Sequence, residues 1–128
     1  MNWTLLGLVM AGGALGAAGR HLLGGWLLRQ FGNGLPWGTL AVNLVGSFAA
    51  GFLFAWLEGR GPSALYWRAF LMVGVLGALT TYSALMVELL MYSRNGRPSL
   101  LLGYLALSLV AGFALVWFGA RVGGWLRP

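Results

Sequence analysis

The sequence contains no cysteine and no lysine, a single histidine (His21) and only two acidic residues, Glu58 and Glu88. The lack of cysteine excludes a disulfide framework, a thiol nucleophile and a cysteine-ligated metal. One histidine excludes a multi-histidine metal site within one chain. Two carboxylates leave little basis for paired acid–base chemistry within one subunit. We therefore expect that the chain is not an enzyme.

Charged residues are scarce as well, and most of them are arginines. The formal net charge is +6, yet the arginines are scattered near the ends of apolar runs and never cluster. That arrangement is typical of membrane anchoring rather than of nucleic-acid binding. We expect the lipid bilayer, and no nucleic acid, as a partner.

Apolar residues are abundant. Hydrophobic residues make up 59% of the chain and charged residues 8%, and the mean hydropathy is +0.81. This composition is that of an integral membrane protein. The first apolar run could be a signal peptide, but no basic region precedes it and further apolar segments follow it. We interpret it as a retained first span.

Four apolar segments, about 4–28, 37–57, 66–93 and 99–120, are each long enough to cross a bilayer core, which needs about 20 apolar residues. The short connections between them contain Asn-Gly, Gly-Arg-Gly-Pro and Asn-Gly-Arg-Pro, which are turn signals. The sequence predicts an all-α membrane protein whose residues 1–128 form a single four-span domain. Such a chain is small for enclosing a path by itself, so we expect it to oligomerise.

The third segment contains an unusual stretch, Val73 to Leu85. Glycines and adjacent threonines are poor material for an uninterrupted helix, and this stretch contains Gly74, Gly77, Thr80 and Thr81. A break would expose carbonyls on one side and N–H groups on the other, which is how membrane proteins make ion sites. The alternative is an ordinary helix whose small residues allow close packing. The residues alone leave both open.

Small and polar residues also line one face of the second and fourth segments. The second segment has Thr39, Asn43 and Ser47 at helical spacing, and the fourth has Tyr104 and Ser108. A buried amide is costly unless it finds partners. Asn43 either bonds a neighbouring helix or lines a permeation path, and the pattern does not separate the two. Arg20 either reaches the headgroups near one end of the first span or lines a polar entrance.

Positive charge is nearly balanced between the two ends of the spans. With an even number of spans, one side has Arg60, Arg68, Arg121 and Arg127, and the other has Arg29, Arg94 and Arg97, with Arg20 near it. Positive residues near span ends set orientation. A balanced chain can insert both ways and form an antiparallel dimer, unless a small excess or the N-terminus fixes one orientation.

Three motifs in order resemble a known family: GALGAAGR (Gly13 to Arg20), GTLAVNLVGSF (Gly38 to Phe48) and GVLGALTTYS (Gly74 to Ser83). They are similar to the signatures of the CrcB-type fluoride channels, also called Fluc, and the resemblance covers nearly the whole chain. The second and third motifs are the specific ones. The physics agrees, because a pore for strongly hydrated fluoride must offer hydrogen-bond donors without a central fixed cation that would trap the ion.

The resemblance implies a fluoride-selective channel of the inner cell membrane, exporting fluoride down its gradient to lower its toxicity in the cytoplasm. It implies a dual-topology antiparallel homodimer with two pores, a third helix broken at mid-membrane, and a structural sodium ion at the dimer centre. Backbone carbonyls of Gly77 and Thr80 would bind the sodium. The side chains implied along the fluoride path, by position, are Thr39, Asn43, Tyr82, Ser83, Leu85, Tyr104 and Ser108, with Arg20 at the entrance or in a structural role.

The chain departs from the family pattern at two aromatic positions. The family typically has TTFSTF, whereas Tyr82 and Leu85 stand at the two phenylalanine positions here. Because a phenylalanine ring edge is weakly positive and a leucine side chain is not, this difference predicts a slower fluoride rate without changing the fold.

Two other functions remain open at this stage. A small antiparallel proton-coupled drug exporter needs a titrating carboxylate inside the membrane, and only Glu88 could serve. We expect Glu88 instead to be a polar partner near the interface, for example of an arginine. The other alternative is a non-transporting assembly subunit whose small-residue faces only pack helices.

Overall fold

The protein is entirely helical in the computed structural model, which describes all 128 residues. Helix α1 covers Trp3–Phe31 and α2 covers Trp37–Trp56. The third span, Ser63–Arg94, is divided into α3 (residues 63–79) and α4 (Tyr82–Arg94), and α5 covers Pro98–Leu126. By length and composition the chain has four helices able to cross a membrane.

Three of the four spans are longer than the apolar segments from which they were predicted, and α2 ends one residue earlier than predicted. Helix α1 continues from Arg20 to Phe31, so Arg20 does not lie near a helix end, and Arg121 lies within α5 rather than beyond it. Hydropathy detects only the apolar part of a helix, whereas hydrogen bonding continues through polar residues until a stop signal. Such a signal is Gly32, whose φ of 74° ends α1 and whose N–H donates to the Leu28 carbonyl.

The third span is interrupted at Thr80 and Thr81, as the hypothesis of a break requires. Their backbones are extended, with φ and ψ of −84° and 155° at Thr80 and −150° and 114° at Thr81. Most of α3 before this point, Arg68–Leu76, is π-helical, a rare conformation that often marks functional sites. The hypothesis of an ordinary continuous helix is wrong for this stretch.

Helix α3 packs on α1 with backbone nearly touching backbone. A Cβ added to Gly12 would overlap the Phe70 carbonyl oxygen, and one added to Gly16 would overlap the Val75 carbonyl oxygen. Both glycines are buried. Small residues are what allow such close approach between membrane helices. This contact therefore fixes α3 against α1 with no room for a side chain.

Helices α2 and α5 pack in a similar way, through glycines on both sides. A Cβ on Gly51 would overlap the Val116 carbonyl oxygen, and one on Gly119 would overlap that of Phe48. Helix α4, by contrast, meets α2 and α5 through side chains, in a small buried cluster of Leu40, Leu85, Leu89 and Tyr104. The chain as a whole buries only 18 of its 128 residues, so most apolar side chains face outward, as in helices surrounded by lipid.

Candidate functional site

Asn43 on α2 holds the backbone of the interrupted span. Its Oδ1 accepts a hydrogen bond from the Thr81 N–H at 2.7 Å, and its Nδ2 donates to the Thr81 carbonyl at 3.1 Å. Both backbone groups of one extended residue are therefore satisfied by a single side chain. In hydrocarbon this matters, because each unsatisfied backbone group costs several kcal/mol. Asn43 thus bonds a neighbouring element, as the first of its two predicted roles requires.

The same interruption removes the usual donors from two carbonyls. In a continuous α-helix the Thr81 N–H would donate to the Gly77 carbonyl and the Ala84 N–H to the Thr80 carbonyl. Here the Thr81 N–H donates to Asn43, and the Ala84 N–H donates to the Thr81 Oγ1 at 3.1 Å. The carbonyls of Gly77 and Thr80, the predicted sodium ligands, are therefore among those that lose their α-helical donors at the interruption.

A cavity of about 390 Å³ lies beside the interruption. It brings together predicted path residues from α2 and the third span, since its lining includes Asn43, Thr80, Tyr82 and Leu85, with Gly77 and Ser47. The Ser47 hydroxyl donates to the Asn43 carbonyl at 2.6 Å. The residues predicted to bind the cation and those predicted to donate to the anion therefore line the same cavity.

Glu88 on α4 accepts hydrogen bonds from two hydroxyls on other helices. Thr39 Oγ1 on α2 donates to Oε1 at 2.5 Å, and the Tyr104 hydroxyl on α5 donates to Oε2 at 2.8 Å. Glu88 is thus the polar partner that the sequence predicted, but of two hydroxyls rather than of an arginine. The other carboxylate, Glu58, does pair with an arginine, Arg127, at 3.3 Å on the surface.

A larger cavity of about 690 Å³ reaches this cluster from the end of the bundle near the 32–36 connection. Arg20, Thr39, Thr81 and Glu88 all border it, so the half-buried Arg20 lies at a polar opening rather than against a purely apolar surface. His21, Arg97, Asn33 and Asn95 also border it. Basic side chains around a concave opening raise the local concentration of anions.

The two departures from the family pattern lie in different surroundings. The Tyr82 side chain is 75% exposed, whereas Leu85 is 7% exposed and belongs to the buried cluster with Leu40 and Tyr104. Ser83 is exposed, with its Oγ 3.3 Å from that of Thr81, and Ser108 is half-buried on α5. Within one chain, the Tyr82 ring and the Ser83 hydroxyl therefore face outward, away from the cluster that buries Leu85.

Sequence reasoning did not find the hydrogen bonds that join Thr39, Glu88 and Tyr104. The available signal was that Glu88 is the one acidic residue inside a predicted span, and an ionisable residue there indicates a functional site by default. Its partners were hidden because they lie on two other helices, 49 and 16 residues away in the sequence.

Comparison with known proteins agrees with this arrangement. The family model described as "CrcB-like protein, Camphor Resistance (CrcB)" matches residues 7–120. The fluoride-specific ion channel FluC of Xanthomonas axonopodis pv. citri (strain 306) is 54% identical over 124 residues, which cover 97% of this chain and 93% of the relative. A protein of the same name from Xylella fastidiosa (strain M23) is 51% identical over 97% of this chain and 93% of the relative. Another, from Agrobacterium fabrum (strain C58 / ATCC 33970), is 40% identical over 92% of this chain and 94% of the relative. With four spans, an interrupted third helix and relatives that match over almost its full length, the chain belongs to the CrcB-like family.

Proposed function

We propose that this protein is a fluoride-selective channel that lets fluoride leave the cell down its gradient. The observation that carries the proposal is the full-length similarity to relatives named fluoride-specific ion channels, at up to 54% identity. The geometry adds to it, because hydroxyl donors of α2 and α5 converge on Glu88 in the second half of the interrupted span. A channel of this kind performs no covalent chemistry, and the chain has no use for a catalytic group.

The proposed fluoride path begins at the 690 Å³ cavity, where Arg20 and Arg97 attract the anion. It continues past Thr39 and Tyr104. Each has a single O–H, which donates to Glu88 here and would have to turn from it to bond fluoride. Ser108, Ser83 and the side chains of Tyr82 and Leu85 complete the proposed path. The donors are neutral, so fluoride is held by hydrogen bonds and can leave again, as conduction requires.

Asn43 has a donor left for the anion. An amide NH₂ group has two N–H donors, and only one hydrogen bond from Nδ2, to the Thr81 carbonyl, is present. Asn43 borders the 390 Å³ cavity, and the second N–H is proposed to be offered there. Asn43 therefore combines the two roles left open by the sequence, since it bonds the interrupted span and offers one N–H to the path.

We further propose a structural sodium ion bound by the backbone carbonyls of Gly77 and Thr80. These residues fit a hard monovalent cation, because their oxygens lack α-helical donors and such cations prefer oxygen ligands. Sodium would supply a fixed positive charge that holds the interrupted segments together. Two carbonyls are too few to enclose an ion, and a second copy of the chain would supply two more.

The second copy is proposed to lie antiparallel, so that the protein is a dual-topology homodimer in the inner membrane. The near balance of arginines between the two sides supports insertion in both orientations. Gly77 and Tyr82 are exposed in the single chain, beside the proposed cation ligands. An antiparallel partner placed there would cover them and repeat the path on its own side.

The test is ion efflux from liposomes containing the purified protein. We expect a fluoride electrode to record rapid release of internal fluoride, and a chloride electrode to record none under the same gradient. Liposomes that hold folded protein and release no fluoride would support a non-transporting subunit, and release only with a proton gradient would support a coupled exporter.

Topology is tested separately with the cysteine-free chain. A single Pro128→Cys substitution creates the only thiol, and an impermeant thiol reagent is applied to sealed vesicles from one face and then from the other. We expect part of the population to react from each face. Reaction from one face only would contradict the antiparallel dimer.

A further inference from the structure

Gly46 on α2 forms a notch that receives the methyl group of Thr80. Gly46 is buried, and a Cβ added to it would overlap the Thr80 Cγ2, with the Thr80 Cβ 3.7 Å away. Nothing else comes within the same range of that position. The methyl group of Thr80, one of the two proposed cation ligands, thus fills the space that a side chain at position 46 would need.

The Thr80 side chain is held in the rotamer that points its methyl at this notch. Its Oγ1 donates to the Leu76 carbonyl at 2.8 Å, one turn earlier in α3. A β-branched side chain has few allowed χ1 values, so the hydroxyl bond and the methyl position are set together. Pushing the methyl out of the notch would break the hydroxyl bond or move the Thr80 backbone.

The carbonyl of Thr80 belongs to the same peptide unit as the Thr81 N–H. That N–H points at Asn43 Oδ1 over 2.7 Å, and the chain has no cis peptide bonds. In a trans peptide the C=O points opposite to the N–H. The Thr80 carbonyl oxygen is therefore directed away from Asn43. Asn43 sets the plane of this peptide, and Gly46, one turn along α2, sets where its Thr80 end lies.

We infer that Gly46 is a positioning residue for the proposed cation site, because its notch sets where the Thr80 carbonyl lies, whereas Asn43 sets the plane of that peptide. The inference rests on the proposed sodium site. It goes beyond that site in assigning the position of one ligand to a glycine that lies on another helix.

The test measures sodium affinity rather than ion flux. Purified protein in detergent is heated at increasing sodium concentration, with N-methylglucamine as the replacement cation, and the concentration at half-maximal stabilisation is recorded. We expect Gly46→Ala to raise this midpoint about tenfold or more, which corresponds to about 1.4 kcal/mol of lost binding. Thr80→Ser keeps the carbonyl and the hydroxyl bond to Leu76 but leaves the notch unfilled, so we expect a smaller rise of the midpoint, about threefold or less, and this variant is the reference for the double variant.

The decisive variant combines Gly46→Ala with Thr80→Ser. Serine has no methyl to collide with the new Cβ and keeps the hydroxyl for Leu76, so we expect the double variant to return to within about threefold of wild type. Gly112→Ala is the matched control, because a Cβ there meets only the Ser47 Oγ at an ordinary 3.7 Å. If Gly46→Ala alone fails to fold, a folded double variant with a normal midpoint still supports the inference.

Two failures can be told apart. Wild-type protein without any sodium-dependent stabilisation would overturn the sodium site itself. Wild-type protein with a clear sodium midpoint, together with a Gly46→Ala variant of unchanged midpoint or a double variant that is not rescued, would overturn only the role of Gly46.

Discussion

The two halves of the third span are held by different kinds of contact. Helix α3 lies against α1 through glycines, with carbonyl oxygens of α3 where a Cβ of Gly12 or Gly16 would be. Helix α4 is held by side chains instead, by the leucine cluster around Leu85 and by the bonds from Thr39 and Tyr104 to Glu88. Backbone-to-backbone contacts fix the two helices against each other. Side chains, by contrast, can change rotamer and turn a donor from a protein acceptor to an ion.

This difference separates two tasks along one span. The first half is a rigid support that ends at the proposed cation ligands. The second half presents hydroxyls and a carboxylate to a cavity that basic residues border. The interruption at Thr80 and Thr81 is where one kind of contact gives way to the other, and Asn43 holds it from α2.

The largest expected effect is that of a side chain placed between α1 and α3. Gly16→Val would drive two methyl groups into the Val75 carbonyl, and we expect a destabilisation of about 3 kcal/mol or more. The measurement is the yield of monodisperse protein and its thermal unfolding in detergent. Gly13→Val is the control, since nothing lies within 4 Å of a Cβ there. Equal behaviour of the two variants would contradict the rigid support.

Removing the amide at the interruption should stop transport while leaving the fold intact. In Asn43→Ala the Thr81 N–H and carbonyl lose their partner, but Thr81 borders both cavities, where water can bond these groups. Because the path also loses a donor, we expect fluoride efflux to fall to the level of empty liposomes. A sizing column should still show the proposed dimer. If the variant instead falls apart on the column, Asn43 serves only to bond helices.

Asn43→Asp sharpens this prediction by separating the two roles of the amide. A carboxylate keeps an oxygen to accept from the Thr81 N–H but has no N–H for the anion or for the Thr81 carbonyl, and water from the bordering cavities can donate to that carbonyl instead. We expect sodium-dependent stabilisation to persist in this variant while fluoride efflux is lost. Fluoride efflux at the wild-type rate would contradict the donor role.

The second half of the third span, α4, should be less stable in the bundle when one hydroxyl that bonds it is removed. Tyr104→Phe removes the 2.8 Å bond to Glu88, and a bond to a carboxylate contributes about 1.5 to 3 kcal/mol. We expect a lower unfolding temperature in detergent for this variant than for Tyr92→Phe, whose hydroxyl makes no such bond. Equal unfolding temperatures would show that side-chain bonds do not hold α4.

How much of this could be predicted from the sequence depends on how local each feature is. The glycines and threonines at positions 74–81 raised the hypothesis of an interruption but left an ordinary helix open, and the family resemblance favoured the break. The partner of Asn43 was not visible, since Thr81 lies 38 residues away, and neither were the π-helical turns of α3. Those turns lie against the α1 backbone, and no local propensity indicates that contact.

The sequence pattern also could not predict the helix ends or the surroundings of Leu85. The predicted first span ended near residue 28, before Arg29, whereas α1 continues to Phe31 because its hydrogen bonding does not depend on polarity. Leu85 could be compared with a family motif, yet whether its side chain faces outward or into the bundle depends on how α4 leaves the interruption. The structure buries it between α2 and α5.

The smallest expected effect is a faster fluoride rate when Leu85 is replaced by phenylalanine. Leu85→Phe would place a ring edge beside the 390 Å³ cavity, and one such contact is worth about 1 kcal/mol, or several-fold in fluoride occupancy and rate. The measurement is initial fluoride efflux per protein. Leu89→Phe, in the same buried cluster but away from that cavity, is the control. An unchanged rate in folded Leu85→Phe protein would show that the second ring is not what limits conduction.

The most direct test of the central claim, that fluoride passes along the second half of the third span, uses two single-cysteine variants in an otherwise cysteine-free chain. Ala84→Cys places a thiol on the 690 Å³ cavity, whereas Ala78→Cys places one in α3, beside Gly16 of α1. Fluoride efflux is recorded before and after treatment with a small charged methanethiosulfonate, and mass spectrometry measures the modified fraction. The account predicts that modification at Ala84 lowers efflux about tenfold or more, roughly 1.4 kcal/mol in the rate, and that treatment of Ala78→Cys leaves it unchanged. Fully modified Ala84→Cys protein that still conducts fluoride at its original rate would contradict it.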